Sequence, residues 1–388
     1  MKPVPVRVGL DVLLQGQLEL LKNQRIGLVT NPTGITRSLQ SNVDALRAAA
    51  VNLVALFGPE HGFSAAAADA TAVASGQDAR TGLPIYSLYG ETRKPTTEML
   101  ANIDAMLFDL QDVGVRFYTY TATLALLLQA CAASHVKLIV LDRPNPLNGI
   151  ALEGPMLDPE LQSFIGHGRL PIRYGLTMGE LAQFYNAKQS VGAELQVIAL
   201  EGWRREMWFE ETGLTWVPPS PGIPHVSTTV VYPGMCFIEG TNLSEGRGTA
   251  LPFEIVGAPW LDGNALAEEL NARRLDGVHF RPITFTPDAS KHAGKLCYGV
   301  QVHVTDRSAF RAVATGLHVL AACRAQAADR FEFLNTSWEG KSPHLDLLTG
   351  NSQAREGLAR NQSVESLVEG WSSDLSRFDQ NKHNFLLY

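Results

Sequence analysis

The chain has 388 residues, of which 45% are hydrophobic and 18% are charged, and its formal net charge is −7 at pH 7. This length can accommodate two domains, each with its own core. The acidic balance argues against nucleic acid or an anionic membrane as partner, because both are bound through basic surfaces. No run of about 18 apolar residues occurs, so the sequence predicts no segment that spans a bilayer.

The N-terminal sequence MKPVPVRVGLDVLL contains neither a continuous apolar core nor a small-residue cleavage site, so it is not a signal peptide. Together with the initiating Met, this predicts a cytoplasmic protein; the alternative is an extracytoplasmic protein in processed form. The four cysteines lie far apart without a CxxC pair, which predicts neither a disulfide framework nor a zinc site, and Cys131 and Cys323, in apolar segments of helical character, are predicted to be buried thiols.

From Arg25 onward, apolar runs of strand length alternate with segments of helical character. The predicted strands are Arg25–Thr30, Val51–Phe57, Pro84–Leu88, Ala105–Leu110, Lys137–Leu141 and Leu195–Leu200. The predicted helices between them are Asn42–Ala50, Thr96–Asn102, Ala122–Ser134 and Thr177–Lys188, the last opening with a capping box of Thr177 and Glu180. This alternation predicts an α/β fold with a Rossmann-like, mainly parallel sheet and helices on both faces.

No GxGxxG or GxxxxGK[ST] motif is present, so the Rossmann-like topology implies neither a dinucleotide nor a nucleoside triphosphate, and we predict no cofactor. A proline-rich segment, WVPPSPGIPH (216–225), indicates a domain boundary or a rigid wall of the site, because the regular alternation of strands and helices ends there. After it come a helix at Asn264–Arg273, an alternating strand at Gly299–Thr305 and a helix at Phe310–Arg324. We predict a catalytic domain at 1–217 and a smaller α+β domain at 218–388 that contributes to the cleft.

The strand Val51–Phe57 ends abruptly at Gly58-Pro59, and Glu60 and His61 follow directly. Proline cannot donate to a sheet ladder and glycine admits unusual backbone conformations, so the strand must stop there. A carboxylate and an imidazole are thereby delivered to the end of a strand, where open α/β sheets bind their ligands. Taken alone, the segment is equally compatible with a turn that carries two solvated polar residues.

Three other strand ends carry comparable side chains, so we expect one crevice to collect them. They are Asn31 after the first strand; Asp109, Gln111, Asp112, Arg116, Tyr118 and Tyr120 after the fourth; and Asp142, Arg143 and Asn145 after the fifth. Carboxylates in a cleft suit acid–base chemistry, because burial or a neighbouring charge separates their pKa values. Arginine and asparagine suit a ligand with a carboxylate or an amide, and tyrosine suits a sugar ring. Glu60 and His61 are adjacent and do not easily face one ion, so we predict no metal site.

Structural alternatives exist for these residues. Asp109 could cap the next turn, Asp142 and Arg143 could form a local ion pair, and Tyr118 and Tyr120 could belong to the core. Two further charged residues, Glu245 and Arg247 in SEGRGT, could form a surface pair of little energetic value. The glycines beside that pair instead favour a loop that closely approaches another group.

Several long segments resemble the exo-β-N-acetylmuramidase family, formerly a domain of unknown function. They are FGPEHGF (57–63), FDLQDVGVRFYTY (108–120), LDRPNPLNG (141–149), EGP (153–155), YGLTMGELAQFYN (174–186), WVPPSPGIP (216–224) and EGTNLSEGRGTALPFEIVGAPW (239–260). The similarity runs in order from about Arg25 to the C-terminal LLY, and the motifs are long and specific. One departure is the alanine-rich 64–78, where the family has a loop containing Gly and Glu and ending in Ala-Gly-Glu, so the resemblance implies no ligand-contacting role for that loop here.

The resemblance implies a peptidoglycan-recycling glycosidase that removes terminal N-acetylmuramic acid from the non-reducing end of a cell-wall fragment. It also implies a Rossmann-like catalytic domain and a smaller C-terminal domain with the cleft between them, and it places the catalytic glutamate at Glu60. With that reaction in view, we expect Glu60 to be the general acid and His61 to orient it or to hold the sugar. We expect Asp112, or failing that Asp109, to be the second carboxylate.

For the sugar itself, we expect Arg116 or Arg143 to pair with the lactyl carboxylate of muramic acid. The remaining predicted substrate contacts are Asn31, Tyr118, Tyr120, Asp142, Asn145, Glu239, Asn242, Glu245 and Arg247. Two alternative functions remain: a deacetylase or lactyl-ether hydrolase acting on the same sugar, and a non-catalytic muropeptide-binding protein. The sequence is also compatible with an oligomer.

Overall fold

A seven-stranded sheet organises the first part of the chain in a computed structural model that describes residues 5–68, 70–337, 340 and 342–388. Its strands are β1 (Ile26–Thr30), β2 (Leu53–Gly58), β3 (Gly76–Gln77), β4 (Pro84–Ser87), β5 (Ala105–Asp109), β6 (Lys137–Leu141) and β7 (Leu195–Ile198). They are ordered β3-β4-β2-β1-β5-β6-β7, and every pairing is parallel except that of β3 with β4. The predicted Rossmann-like α/β class is therefore confirmed.

The central strands β1 and β5 are buried at every residue because both faces of the sheet are covered. Along β5, Met106 and Phe108 belong to one core, which the helices at 97–100, 120–134 and 178–188 help to form, whereas Leu107 belongs to the core on the opposite face, which the helices at 9–16 and 42–48 help to form. Side chains alternate between the faces of a strand, so a continuous apolar run fills both cores at once. The helices are α1 (Gly9–Gly16), α2 (Asn42–Ala48), α3 (Thr97–Leu100), α4 (Tyr120–Ser134), α5 (Met178–Lys188), α6 (Val226–Met235), α7 (Gly263–Ala272), α8 (Ala312–Gln326), α9 (His344–Thr349), α10 (Gln353–Ala359), α11 (Val364–Glu369) and α12 (Ser372–Lys382).

The predicted capping box at the start of α5 is present: Thr177 accepts a hydrogen bond from the Glu180 amide, and the Glu180 carboxylate accepts one from the Thr177 amide. Within the described part of the chain, no helix combines the length and the apolar character that a membrane crossing needs.

The second part of the chain contains a smaller antiparallel sheet, ordered β8-β10-β9. Its strands are β8 (Ile255–Ala258), β9 (Val278–Phe285) and β10 (Cys297–Val304). The predicted strand Gly299–Thr305 corresponds to β10, while β8 and β9 were not predicted. Pro282 interrupts the alternation of β9, and the strand tolerates it because β9 lies at the edge of its sheet.

The two parts of the chain share one apolar core. At their junction, the ring of Tyr232 from α6 packs edge-on against Phe117 at 5.4 Å and against Tyr118 at 6.2 Å between centroids. The C-terminal segment also returns to the first part, because Phe378 packs on Phe184 of α5 at 5.7 Å. Contacts of this kind fix the geometry of any cleft between the two parts.

Candidate active site

A cavity of about 640 Å³ lies where the loops after β2 and β5 face the second part of the chain. The first part contributes Glu60, His61, Tyr118 and Thr119 to the lining, and the opposite wall comes from segments 236–253, 289–291, 334–337 and 344–348. Pockets that bind small ligands have volumes of about 300–1,000 Å³, so this cavity is large enough for a saccharide.

The cavity does not lie at the point where the strand order reverses, between β1 and β5, which is the usual ligand position in such sheets. There, the Asn31 amide donates a hydrogen bond to the Tyr120 hydroxyl at 2.7 Å, and that hydroxyl donates to the Pro219 carbonyl at 2.7 Å. The cavity remaining nearby, lined in part by Gln111 and Arg143, measures only about 20 Å³. The proline-rich segment therefore fills the crevice, and the open space lies beside β2.

Glu60 lies in a tight turn directly after β2. A Cβ at Gly58 would lie 2.6 Å from the Phe63 amide nitrogen, so only glycine allows this turn. Both oxygens of the Glu60 carboxylate are held: Thr119 Oγ1 donates to Oε2 at 2.7 Å, and the Ala70 amide donates to Oε1 at 3.2 Å. The side chain is 7% exposed and faces the cavity, so one oriented carboxyl group is presented to a ligand.

His61 has a left-handed backbone conformation, with φ of 69°, which is uncommon for a residue other than glycine. Its Nδ1 lies 2.9 Å from the Ala67 carbonyl oxygen. A carbonyl can only accept, so Nδ1 carries the hydrogen and Nε2 is the acceptor nitrogen of the neutral ring. The alanine-rich loop thus contributes a backbone group to each residue of the motif, and Ala68 and Ala70 also line the cavity.

The opposite wall carries a cluster of charges. Arg247 bonds to Glu239 Oε1 through Nε at 2.9 Å and through Nη2 at 2.7 Å, and Lys291 Nζ lies 2.9 Å from Glu245 Oε2. Burial acts to raise the pKa of Glu239, but the charge of Arg247 and the hydrogen bonds from His344 and Arg247 outweigh it, so that pKa lies below its usual range. All five side chains line the cavity, and Glu239 is ionised at neutral pH.

Asp109 and Arg143, two of the predicted site residues, do not line this cavity. Arg143 Nε lies 2.6 Å from Asp109 Oδ1, and the Asn42 amide donates to Asp109 Oδ2 at 2.7 Å. This buried pair joins the ends of β5 and β6. Arg143 therefore does form an ion pair, but its partner is Asp109 and not Asp142, which the sequence had suggested.

Asp112 also lies outside the cavity lining. Its Oδ2 accepts hydrogen bonds from the Gly114 amide at 2.7 Å and from the Tyr174 hydroxyl. Burial raises the pKa of Asp112 to about 6, although these hydrogen bonds act in the opposite direction. The proposed role of Asp112 as second catalytic carboxylate therefore draws no support from its position.

Other predicted substrate contacts also have partners within the protein. Arg116 is fully buried and donates to the carbonyl oxygens of Pro155, Leu170 and Leu348. Asp142 holds the start of α5, with Thr177 Oγ1 donating to it at 2.6 Å. The Asn145 amide donates to the Leu176 carbonyl at 2.9 Å, and the Asn242 amide donates to the Arg330 carbonyl at 2.7 Å. Of the predicted site residues, those that line the cavity are Glu60, His61, Tyr118, Glu239, Glu245 and Arg247.

Sequence reasoning did not single out Thr119, Lys291 and His344, which line the cavity beside the predicted residues. Thr119 stands inside the FYTY motif, where the aromatic residues drew attention, and Lys291 and His344 belong to loops with no recognisable spacing. No group of three or more His, Cys, Asp or Glu side chains among the described residues could hold a metal ion. The site thus presents an oriented carboxyl group, an imidazole and an ion-paired polar wall.

Comparisons with known proteins identify the chain's relatives. Two family models match the chain. The model for the N-terminal part of exo-β-N-acetylmuramidase NamZ matches residues 26–227, and the model for its C-terminal part matches residues 230–388. The peptidoglycan β-N-acetylmuramidase NamZ of Bacillus subtilis (strain 168) is 46% identical over 388 residues, which is 100% of this chain and 92% of that protein. The predicted division at residues 217 and 218 stays a prediction.

Two solved structures have the same fold. Both are crystal structures of DUF1343 family proteins from Bacteroides fragilis NCTC 9343. One superposes with a TM-score of 0.91 at 36% identity, and the other with a TM-score of 0.79 at 29% identity, each over 99% of both chains. This chain belongs to the exo-β-N-acetylmuramidase NamZ family.

Proposed function

We propose that this protein is an exo-β-N-acetylmuramidase that hydrolyses the glycosidic bond of terminal, non-reducing N-acetylmuramic acid in peptidoglycan fragments. Membership of the family and the 46% identical Bacillus subtilis relative support this activity. The observation that carries the proposal for the site is the Glu60 carboxyl group, which lines a ligand-sized cavity and is held by Thr119 and Ala70.

We propose Glu60 as the general acid. It gives its proton to the glycosidic oxygen as the bond between that oxygen and the anomeric carbon breaks, so the leaving sugar departs as a neutral alcohol. Water supplies the hydroxyl group that the anomeric carbon acquires, and the proton that this water loses restores Glu60 to its acid form over the whole cycle.

His61 is proposed to orient the sugar beside Glu60, since its Nδ1–H bond to Ala67 fixes both the ring and its tautomer. Tyr118 offers an aromatic face in the same cavity, which suits the apolar face of a pyranose ring. For the second half of the reaction, Glu239 and Glu245 line the cavity but are ion-paired. Asp112 and Asp109 lie outside the cavity lining. We therefore favour the substrate's own acetamido group, rather than either of these carboxylates, as the group that stabilises the anomeric carbon.

The test is to incubate the protein with a muramic-acid–glucosamine disaccharide and to identify the products by mass. We expect an intact N-acetylmuramic acid monosaccharide. Loss of acetate or of lactate without release of a sugar would instead indicate a deacetylase or a lactyl-ether hydrolase. Binding of the disaccharide without any product would indicate a muropeptide-binding protein and would overturn the proposed activity.

A further inference from the structure

The cavity must contain a group that distinguishes muramic acid from glucosamine if the proposed function holds. The two sugars differ by the lactyl ether of muramic acid, which carries a carboxylate. Arg116 and Arg143, which the sequence suggested for this task, are buried, donate hydrogen bonds to groups of the protein and do not line the cavity. Among the residues that the structure describes, the arginine and lysine side chains that line the cavity are Arg247 and Lys291.

Lys291 already uses the donor capacity of its ammonium group. Its Nζ lies 2.9 Å from the Ile238 carbonyl oxygen, 2.9 Å from the Thr241 carbonyl oxygen and 2.9 Å from Glu245 Oε2. An ammonium group has three N–H bonds, so these three contacts account for all of them. Lys291 therefore fixes the 238–245 segment and is not positioned to bind a substrate anion.

Arg247 is oriented on two sides. One edge of its guanidinium group, formed by Nε and Nη2, bonds to Glu239, and its planar face lies over the Phe253 ring at 4.8 Å from the centroid. The side chain retains 18% exposure and lines the cavity. The guanidinium group is a rigid fork, so fixing one edge and one face also fixes the direction of the outer edge formed by Nη1 and Nη2.

We propose that Arg247 binds the carboxylate of the substrate's lactyl group and thereby selects muramic acid, an inference that rests on the proposed function. Within the described part of the chain, three carboxylates line this cavity, namely Glu60, Glu239 and Glu245. A substrate carboxylate that met no cation there would be repelled by them, whereas an arginine fork can bind it through two parallel charge-assisted hydrogen bonds. Glu239 is a positioning residue in this account, because it touches Arg247 rather than the sugar.

The experiment measures binding as well as turnover. Dissociation constants of N-acetylmuramic acid and of its lactamide, in which a neutral amide replaces the carboxylate, are measured by calorimetry. We expect the wild-type protein to bind the acid about 10- to 100-fold more tightly than the amide, in keeping with charged hydrogen bonds. Equal affinities for acid and amide, or no binding of either, would overturn the proposal without any need for a variant.

The second arm compares Arg247→Gln with Arg307→Gln. Arg307 is a matched control outside the cavity, since it also bonds to a glutamate, Glu210 at 2.6 Å, and also lies over an aromatic ring, Trp208 at 5.0 Å. We expect R247Q to bind acid and amide within about threefold of each other, and R307Q to discriminate as the wild type does. An R247Q protein that still prefers the acid by the full factor would contradict the assignment.

The two proposals fail in different ways. A protein that prefers the acid through Arg247 but releases no sugar from the disaccharide would keep the carboxylate subsite and lose the glycosidase. A protein that cleaves the disaccharide but does not discriminate acid from amide would keep the glycosidase and lose the subsite. Circular dichroism verifies that R247Q is folded. If R247Q does not fold, the comparison of acid and amide binding by the wild-type protein still tests the proposal.

Discussion

Thr119 Oγ1 donates a hydrogen bond to Glu60 Oε2 at 2.7 Å, joining the segment before α4 to the turn after β2. The two residues belong to different loops of the sheet edge, and both line the cavity. The hydroxyl group fixes one carboxylate oxygen, so the rotation of the Glu60 side chain is set by a residue outside its own motif. This contact converts a glutamate at the end of a strand into an oriented acid.

Replacing Thr119 with valine should reduce turnover while leaving the fold intact. Valine has nearly the same shape but cannot donate, and a hydrogen bond between neutral groups, such as this hydroxyl and the protonated carboxyl of a general acid, contributes about 0.5–1.5 kcal/mol. We expect T119V to lower kcat on the disaccharide about 10-fold, measured by initial rates of sugar release. Serine keeps the hydroxyl group, so T119S should stay within about threefold of the wild type. Equal rates for T119V and the wild type would show that the contact does not orient the acid.

Asp112 predicts a pH dependence of stability. Its folded pKa is raised by burial from 3.8 to about 6, so the folded state keeps a proton that the unfolded state releases. The contribution of Asp112 to stability is thus greatest below about pH 4 and falls as the pH rises to about 6, by roughly 3 kcal/mol in all. Urea unfolding of D112N at pH 4, 5, 6 and 7 should show a free energy that falls less over this range than that of the wild type. Parallel curves would contradict the assigned pKa.

The C-terminal tyrosine should stabilise the fold through a hydroxyl group that both donates and accepts. Tyr388 donates to Asp142 Oδ2 at 2.8 Å and accepts from the Leu200 amide at 2.7 Å. Phenylalanine lacks the hydroxyl group, so the Asp142 carboxylate and the Leu200 amide each lose a hydrogen-bond partner. Leaving a buried polar group unsatisfied costs about 1–3 kcal/mol. We expect Y388F to lower the free energy of unfolding by that amount in urea titrations, whereas Y298F, at a 40% exposed tyrosine, should change it little. Similar effects of the two substitutions would argue against a specific role of the Tyr388 hydroxyl.

Gly222 offers a way to move Arg247 without removing it. A Cβ at this position would lie 2.7 Å from Arg247 Nη1, and the end of a long side chain can shift to make room. We expect G222A to reduce the preference for the muramic acid carboxylate over its amide by about 3- to 10-fold, with a loss of stability below about 1 kcal/mol. Gly16 provides the matched control, because a Cβ there meets nothing within 4 Å. Full carboxylate preference in G222A would show that the guanidinium position is not critical.

The sheet was predictable because its inner strands are buried on both faces. Parallel strands covered by helices consist of continuous apolar runs, and the predicted strands at 25–30, 105–110 and 137–141 lie within a residue of β1, β5 and β6. Helix α6 was not predicted. Its sequence VSTTVVYPGM is rich in β-branched residues and contains Pro233, and tertiary packing overrides that local preference. Its Gly234 meets Gly316 of α8 so closely that neither position has room for a Cβ.

The edge of the sheet that carries the site was also predictable, but the direction of each side chain was not. Glu60, after β2, faces the cavity, whereas Asp109, at the end of β5, pairs with Arg143 and Asn42. Both are acids that follow apolar strands, and nothing in their local sequence separates them. The difference arises from partners 34 and 67 residues away, which only the folded chain brings together.

The most direct test of the account is the leaving-group dependence of Glu60→Gln. An acid catalyst matters most when the departing oxygen needs a proton, and least when the leaving group is an acidic phenol. For E60Q we predict a fall in kcat/KM of about 1,000-fold or more on the muramic-acid–glucosamine disaccharide, and a much smaller fall on dinitrophenyl β-N-acetylmuramide. Equal losses on the two substrates, or an E60Q protein as active as the wild type on the disaccharide, would contradict the assignment of Glu60 as the general acid.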